Sequence, residues 1–116
     1  MARTPDEVVQ HHFKALGDGD LEEIMTDYAV DAVLVTAAGV VRGRDAIRAG
    51  FGQLLTTMPN IAWASSAQVS AGDTVLLEWT ADAGTVAVDD GVDTFVVRDG
   101  LIQSQTARSS WRAAAQ

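Results

Sequence analysis

The side chains that could do acid–base chemistry are few. Two histidines, His11 and His12, stand side by side, and the chain has a single tyrosine, Tyr28. At roughly 100° per residue, Val8, His12 and Leu16 stack on one helical face with Val9 and Phe13 beside them. His12 therefore points inward and His11 away, so the two rings diverge and cannot share a metal. An inward histidine is either a general base or donor for a reacting group, or a satisfied core residue. Asp93 alternates with Phe95 and Val97 and shares their strand face. Glu78 alternates with Leu76 and Thr80, opposite Trp79, and joins the candidates only if its face is the inner one. Asp89-Asp90 reads as a solvated turn. There is no Gly-rich phosphate loop, no G-x-S-x-G elbow and no His/Glu metal pattern, so neither metal nor cofactor is expected.

These residues need elements to hold them. Thr4-Pro5-Asp6-Glu7 is a capping box with proline at the first helical position, and it predicts a helix that Gly17 stops at about Leu16. Asp20 and Glu23 offer a second cap. Leu21, Ile24, Met25 and Tyr28 follow at i, i+3, i+4, i+7, which predicts a helix ending near 28–30. A β-branched run over 32–36 reads as a strand. Gly39 and Gly43 bracket a second extended piece, and a third helix is predicted over 44–57, burying Ile47, Phe51, Leu54 and Leu55 until Met58-Pro59 ends it. Strands follow at about 61–70, 74–83, 92–98 and 101–111, with Asp99-Gly100 the strongest hairpin signal. The stretch 84–91 is either a strand extension or a loop over a pocket. Helices first and an antiparallel sheet after is an α+β pattern.

A chain of 116 residues suits one domain and can bury roughly two-thirds of its surface. The net charge of -8 argues against nucleic acid and anionic membranes as partners. No cysteine is present, and no apolar stretch is long enough to span a membrane, so a cytoplasmic protein is expected. Several strands are apolar on both faces, with Val92 and Val96 opposite Phe95 and Val97. Helices cover one face, and a second copy is the simplest cover for the other, so a homodimer is expected. Trp63, Trp79 and Trp111 either line a flat apolar pocket or belong to the core or the dimer interface.

Gly19-Asp20-Leu21, Tyr28-Ala29-Val30-Asp31-Ala32, Gly43-Arg44-Asp45-Ala46-Ile47 and the run from Asp93-Thr94-Phe95 to Gly100-Leu101-Ile102 resemble the nuclear transport factor 2-like superfamily. That superfamily includes ketosteroid isomerases and SnoaL-like polyketide cyclases. The resemblance implies a cone-shaped α+β fold, with three N-terminal helices on a curved, mostly antiparallel sheet. In ketosteroid isomerases the pocket holds a carboxylate base after the first strand. Its oxyanion hole comprises a tyrosine on the first helix and a protonated aspartic acid on the next-to-last strand. Asp93 matches that aspartic acid and Tyr28 a second tyrosine of the network. His12 replaces the first-helix tyrosine, Phe51 a third, and Thr36 the base. A threonine hydroxyl cannot abstract a carbon-bound proton near neutral pH without an activating base, which points away from steroid isomerisation.

The expected site is one largely apolar cavity holding His12, Tyr28, Thr36 and Asp93, closed by Phe13, Phe51 and Phe95, with Trp63 and Glu78 as further lining candidates. His12 and Asp93 would form an acid–base pair that titrates jointly, with Tyr28 a donor behind it. The expected ligand is a small apolar molecule. The protein is then an isomerase-, cyclase- or dehydratase-like enzyme acting on a carbonyl compound without a cofactor, or a non-catalytic binding or dimerisation module.

Overall fold

The computed structural model describes residues 2–114. Helices α1 (Pro5–Asp18) and α2 (Leu21–Met25) lead into strands β1 (Tyr28–Thr36) and β2 (Gly39–Arg42), and α3 (Arg44–Thr57) follows. The rest is sheet: β3 (Ala62–Ala71), β4 (Thr74–Asp82), β5 (Val86–Arg98), β6 (Leu101–Arg108) and β7 (Arg112–Ala113). One curved sheet runs in the order β2-β1-β6-β5-β4-β3, with β7 paired to the start of β5. Strands β1 and β6 run parallel, and the other pairs are antiparallel. Helix α1 lies across β3 to β6, while α3 covers β1 and β2. The architecture is the α+β arrangement of helices on a curved sheet that the sequence predicts.

The capping box at Thr4 forms as expected: Glu7 N–H donates to Thr4 Oγ1 at 3.1 Å, and Thr4 N–H donates to Glu7 Oε1 at 2.8 Å. The helix passes through Gly17, however, and stops at Gly19, whose φ of 66° closes the last turn. An interior glycine costs only about 1 kcal/mol, and the Lys14–Asp18 pair at 2.8 Å helps hold the extra turn. Its buried stripe carries Val8, Val9, His12 and Leu16.

The second helix is shorter than its apolar period predicts. It ends at Met25, and Tyr28 opens a strand instead of closing a helix. The cause is competition at Asp27. Its carbonyl accepts from Ile102 N–H at 2.7 Å. Its fully buried carboxylate accepts from Arg3 Nη1 at 2.8 Å and lies 2.8 Å from His11 Nδ1. Those bonds turn the backbone into the sheet, where Tyr28 pairs with Ile102. Tyr28, Phe95 and Ile102 are fully buried there, at about 2 kcal/mol each.

Asp99 (φ 56°) and Gly100 (φ 74°) make the tight hairpin turn between β5 and β6. Register then slips: Val97 faces Ile102, but Val96 faces Ser104, so Gln103 is the extra residue of a β-bulge. The stretch left open at 84–91 mostly extends β5, which starts at Val86 and bulges opposite Trp79 and Ala81. Strand β6 ends at Arg108 rather than 111, leaving Trp111 between strands and 41% exposed. On β4, Val75, Leu77, Trp79 and Ala81 are buried under the helices, and Glu78 is exposed on the opposite face.

Candidate functional site

His12 is 2% exposed on α1, and its ring meets Tyr28, Phe51 and Phe95 edge-on at centroid distances of 5.6, 5.7 and 5.5 Å. Its Nδ1 is buried without a hydrogen-bond partner among the described residues. Burial, with a smaller push from His11, drives its pKa down to about 4. At neutral pH the ring is uncharged and offers one donor and one acceptor.

Asp93 is 8% exposed on β5. Its Oδ1 accepts from Trp79 Nε1 at 3.0 Å and its Oδ2 from Gln105 Nε2 at 2.8 Å. The amide oxygen of Gln105 in turn accepts a hydrogen bond from the Tyr28 hydroxyl. Burial raises the Asp93 pKa, against the two hydrogen bonds that favour its charged form. Burial also raises that of Tyr28 far above the ordinary phenol value, helped by the charge of Asp93, so Tyr28 stays a donor. The order Tyr28 to Gln105 to Asp93 suits an ionised carboxylate. A protonated Asp93 would want the Gln105 oxygen as acceptor, and flipping the amide would turn the Tyr28 oxygen into an acceptor and leave its buried proton without the Gln105 oxygen.

These groups edge a partly open cavity of about 220 Å³ between the helices and the sheet. Its walls are mostly apolar: Phe13 and Leu16 from α1, Phe51 and Leu54 from α3, Leu34 from β1 and Leu77 from β4. All three tryptophans line it, with Trp63 and Trp79 at 5.2 Å between centroids. Trp63 Nε1 is a second buried polar atom with no partner among the described residues. Gly91 supports the wall from behind: a Cβ there would stand 2.2 Å from the Trp79 ring, so only glycine lets the indole reach Asp93.

The structure corrects several expectations about this site. His12 and Asp93 line the same cavity but share no hydrogen bond, because the carboxylate is engaged by neighbouring strands. The His12 shift comes from burial and from His11, and the two hydrogen bonds to the Asp93 carboxylate come from Trp79 and Gln105. Tyr28 donates to Gln105, not directly to the proposed pair, and with Phe95 it backs His12 instead of lining the space. Thr36 lies outside the lining, where its Oγ1 accepts from Ala38 N–H at 3.2 Å and caps the β1–β2 turn. Glu78 is on the far face of the sheet. Phe13, Phe51 and Trp63 line the cavity with His12 and Asp93.

Gln105 is the residue that sequence reasoning missed. A regular two-residue hairpin would turn Ser104 inward, opposite Phe95. The bulge at Gln103 puts Gln105 there instead, next to Asp93 on the same face. His11 also has a role that its outward direction concealed. It bridges Asp27 and Glu23 at 2.8 and 2.9 Å, part of a cluster with Arg3. Among the described residues, no three histidine or acidic side chains are grouped to hold a metal. No helix among them is long and apolar enough to cross a membrane.

Residues 9–105 match the SnoaL-like domain family, and the chain belongs to that family. Solved structures agree on the fold. An NTF2-like protein of unknown function from Cytophaga hutchinsonii superposes with a TM-score of 0.80 at 12% identity, over 95% of this chain and 93% of that one. A SnoaL-like protein of unknown function from Burkholderia thailandensis gives 0.79 at 16%, over 91% and 94%. A Sinorhizobium meliloti protein put forward as a polyketide cyclase gives 0.75 at 19%, over 88% and 94%. No curated protein matches the chain. At these identities the likeness concerns the fold.

Proposed function

We propose that the chain binds a small, flat, largely apolar molecule in this cavity and that Asp93 is the ionisable group that meets it. The observation that carries the reading is the cavity itself: about 220 Å³, walled by aromatic and leucine side chains, with one buried carboxylate and two unpartnered buried polar atoms at its edge. Such a combination of apolar walls and a few polar groups is the usual form of a ligand site. A cavity of about 150 Å³ accepts benzene, so this one suits a ring or two. Tryptophan emission reports on binding directly, because all three indoles are lining residues. A panel of one- and two-ring compounds should include several that shift that emission saturably. A panel with no saturable shift contradicts the reading.

Acid–base catalysis is the second reading, favoured by the perturbed Asp93 and by the cyclase description of the Sinorhizobium protein. Asp93 would take a proton from the carbon beside a carbonyl, and a neutral N–H of His12 or Trp63 would meet the enolate oxygen. Exchange of that proton for deuterium in D2O, lost in Asp93→Asn with binding kept, would establish catalysis. Binding without exchange leaves a non-catalytic module.

A homodimer through the outer sheet face belongs to the same proposal. Val35, Val40 and Val69, which are 38%, 51% and 61% exposed, share that face with Val92 and Val96 by register. Sedimentation should give twice the chain mass, reduced to one by Val96→Glu. A monomeric parent protein at micromolar concentration overturns this part.

A further inference from the structure

We propose that the occupant of the cavity is a small organic ammonium ion: a body about one ring in size, bearing a protonated amine or quaternary nitrogen that lies against Asp93. This rests on the cavity being a ligand site and adds the charge of the ligand.

The first ground is a charge without a counterpart. Both donors to Asp93 are neutral, an indole and an amide. No lysine or arginine is among the lining residues, and none of the ion pairs among the described residues includes Asp93. A carboxylate this deeply buried is costly without an opposite charge. A ligand cation supplies one on binding. A neutral carbonyl compound would satisfy the free Trp63 N–H but leave the carboxylate as it is, and an anion would meet no positive group at all.

The second ground is the wall. Phe13, Phe51, Trp63, Trp79 and Trp111 give the space five aromatic side chains. The quadrupole of such rings attracts cations, most strongly for tryptophan, and more so once water is excluded. The other titratable lining group, His12, is uncharged above about pH 4 and does not repel a cation. The net charge of -8 favours the approach of cations and disfavours anions.

The test compares three probes of nearly the same shape on the full chain: benzylamine (positive), benzyl alcohol (neutral) and benzoate (negative). Affinities come from calorimetry and tryptophan emission at neutral pH. Benzylamine should bind at least about tenfold more tightly than benzyl alcohol, and benzoate should not bind. Asp93→Asn should reduce benzylamine to the affinity of the alcohol and leave the alcohol within about twofold of its original value. Should that variant fail to fold, a pH series on the natural chain decides. Benzylamine affinity should fall as Asp93 is protonated, while that of the alcohol stays level, and the benzylamine affinity should fall equally in His12→Phe, which removes the ring that also becomes charged near pH 4. Equal or tighter binding of benzyl alcohol or of benzoate overturns the ammonium proposal but leaves the binding site standing. If none of the three binds, both the ammonium proposal and the binding reading fall.

Discussion

His11 and His12 are neighbours in sequence, and each belongs to a region with a buried aspartate, yet the two regions differ in kind. Around His11 every charge is answered: Arg3, Asp27 and Glu23 lie within 2.9 Å of their partners. There the Asp27 hydrogen bond, opposed by burial and aided by Glu23, holds the His11 pKa above its ordinary value. Around His12 nothing is answered by charge. Its own pKa is pushed down, that of Asp93 is pushed up, and the space between the walls is empty of protein. The first region fastens the N-terminus to the β5–β6 turn, where Arg3 Nη2 also donates to Gly100 O at 3.0 Å. The second leaves polar groups waiting. Identical residue types therefore become a clamp or a site according to whether their partners are charged or neutral.

The largest expected effect separates the two aspartates. Asp27→Ala strips Arg3 and His11 of a buried partner and should cost about 3 kcal/mol in urea unfolding. Asp93→Asn turns an amide donor toward Trp79 Nε1 or Gln105 Nε2 but also removes a buried charge, so it should cost about 1–2 kcal/mol at pH 7, less than Asp27→Ala. The smaller loss follows from the raised folded pKa of Asp93: its ionised form carries a cost, so removing the charge relieves the fold at neutral pH and not in acid. Similar losses for both variants would erase the contrast.

Gly91→Ala attacks the site without touching a charge. Its new Cβ displaces the Trp79 indole, and overpacking should cost about 1–3 kcal/mol. It should also break the Trp79–Asp93 hydrogen bond, visible as a changed indole N–H resonance in NMR. An unmoved Trp79 resonance would show that the wall does not depend on Gly91.

The smallest effect belongs to the clamp. His11 has a raised folded pKa, so its contribution is full below the ordinary value of 6.5 and is lost as pH rises through the folded pKa above it. Stability should fall across that window by about 0.5–1 kcal/mol, as for a partly exposed ion pair. His11→Gln should flatten the dependence. A natural chain whose stability is level there contradicts the clamp.

How much of this was legible in the sequence depended on whether the signal was local. The helix Arg44–Thr57 has the bounds that Gly43 and Met58-Pro59 predict, and the Asp99-Gly100 turn folds as its residues require. His12 faces inward because helical period alone decides it. Tyr28 was misread because apolar period cannot see a long-range bond, the one from Ile102 N–H to Asp27 that ends α2. Gln105 was missed because a single extra residue at Gln103 reverses which side chains of β6 face the cavity, and nothing local announces that bulge. Asp93 was found from its strand face, but its partners lie on β4 and β6 and depend on register.

The most direct test of the contrast is an NMR titration of the unliganded chain that follows the Asp93 carboxyl carbon and the His12 ring carbons together. Asp93 should titrate with a midpoint above the ordinary 3.8, and His12 should remain neutral until about pH 4. Each curve should follow a single step, with no inflection borrowed from the other. A His12 midpoint near 6.5, an Asp93 midpoint at or below 3.8, or two residues sharing both steps would contradict the account of a site built from uncompensated groups.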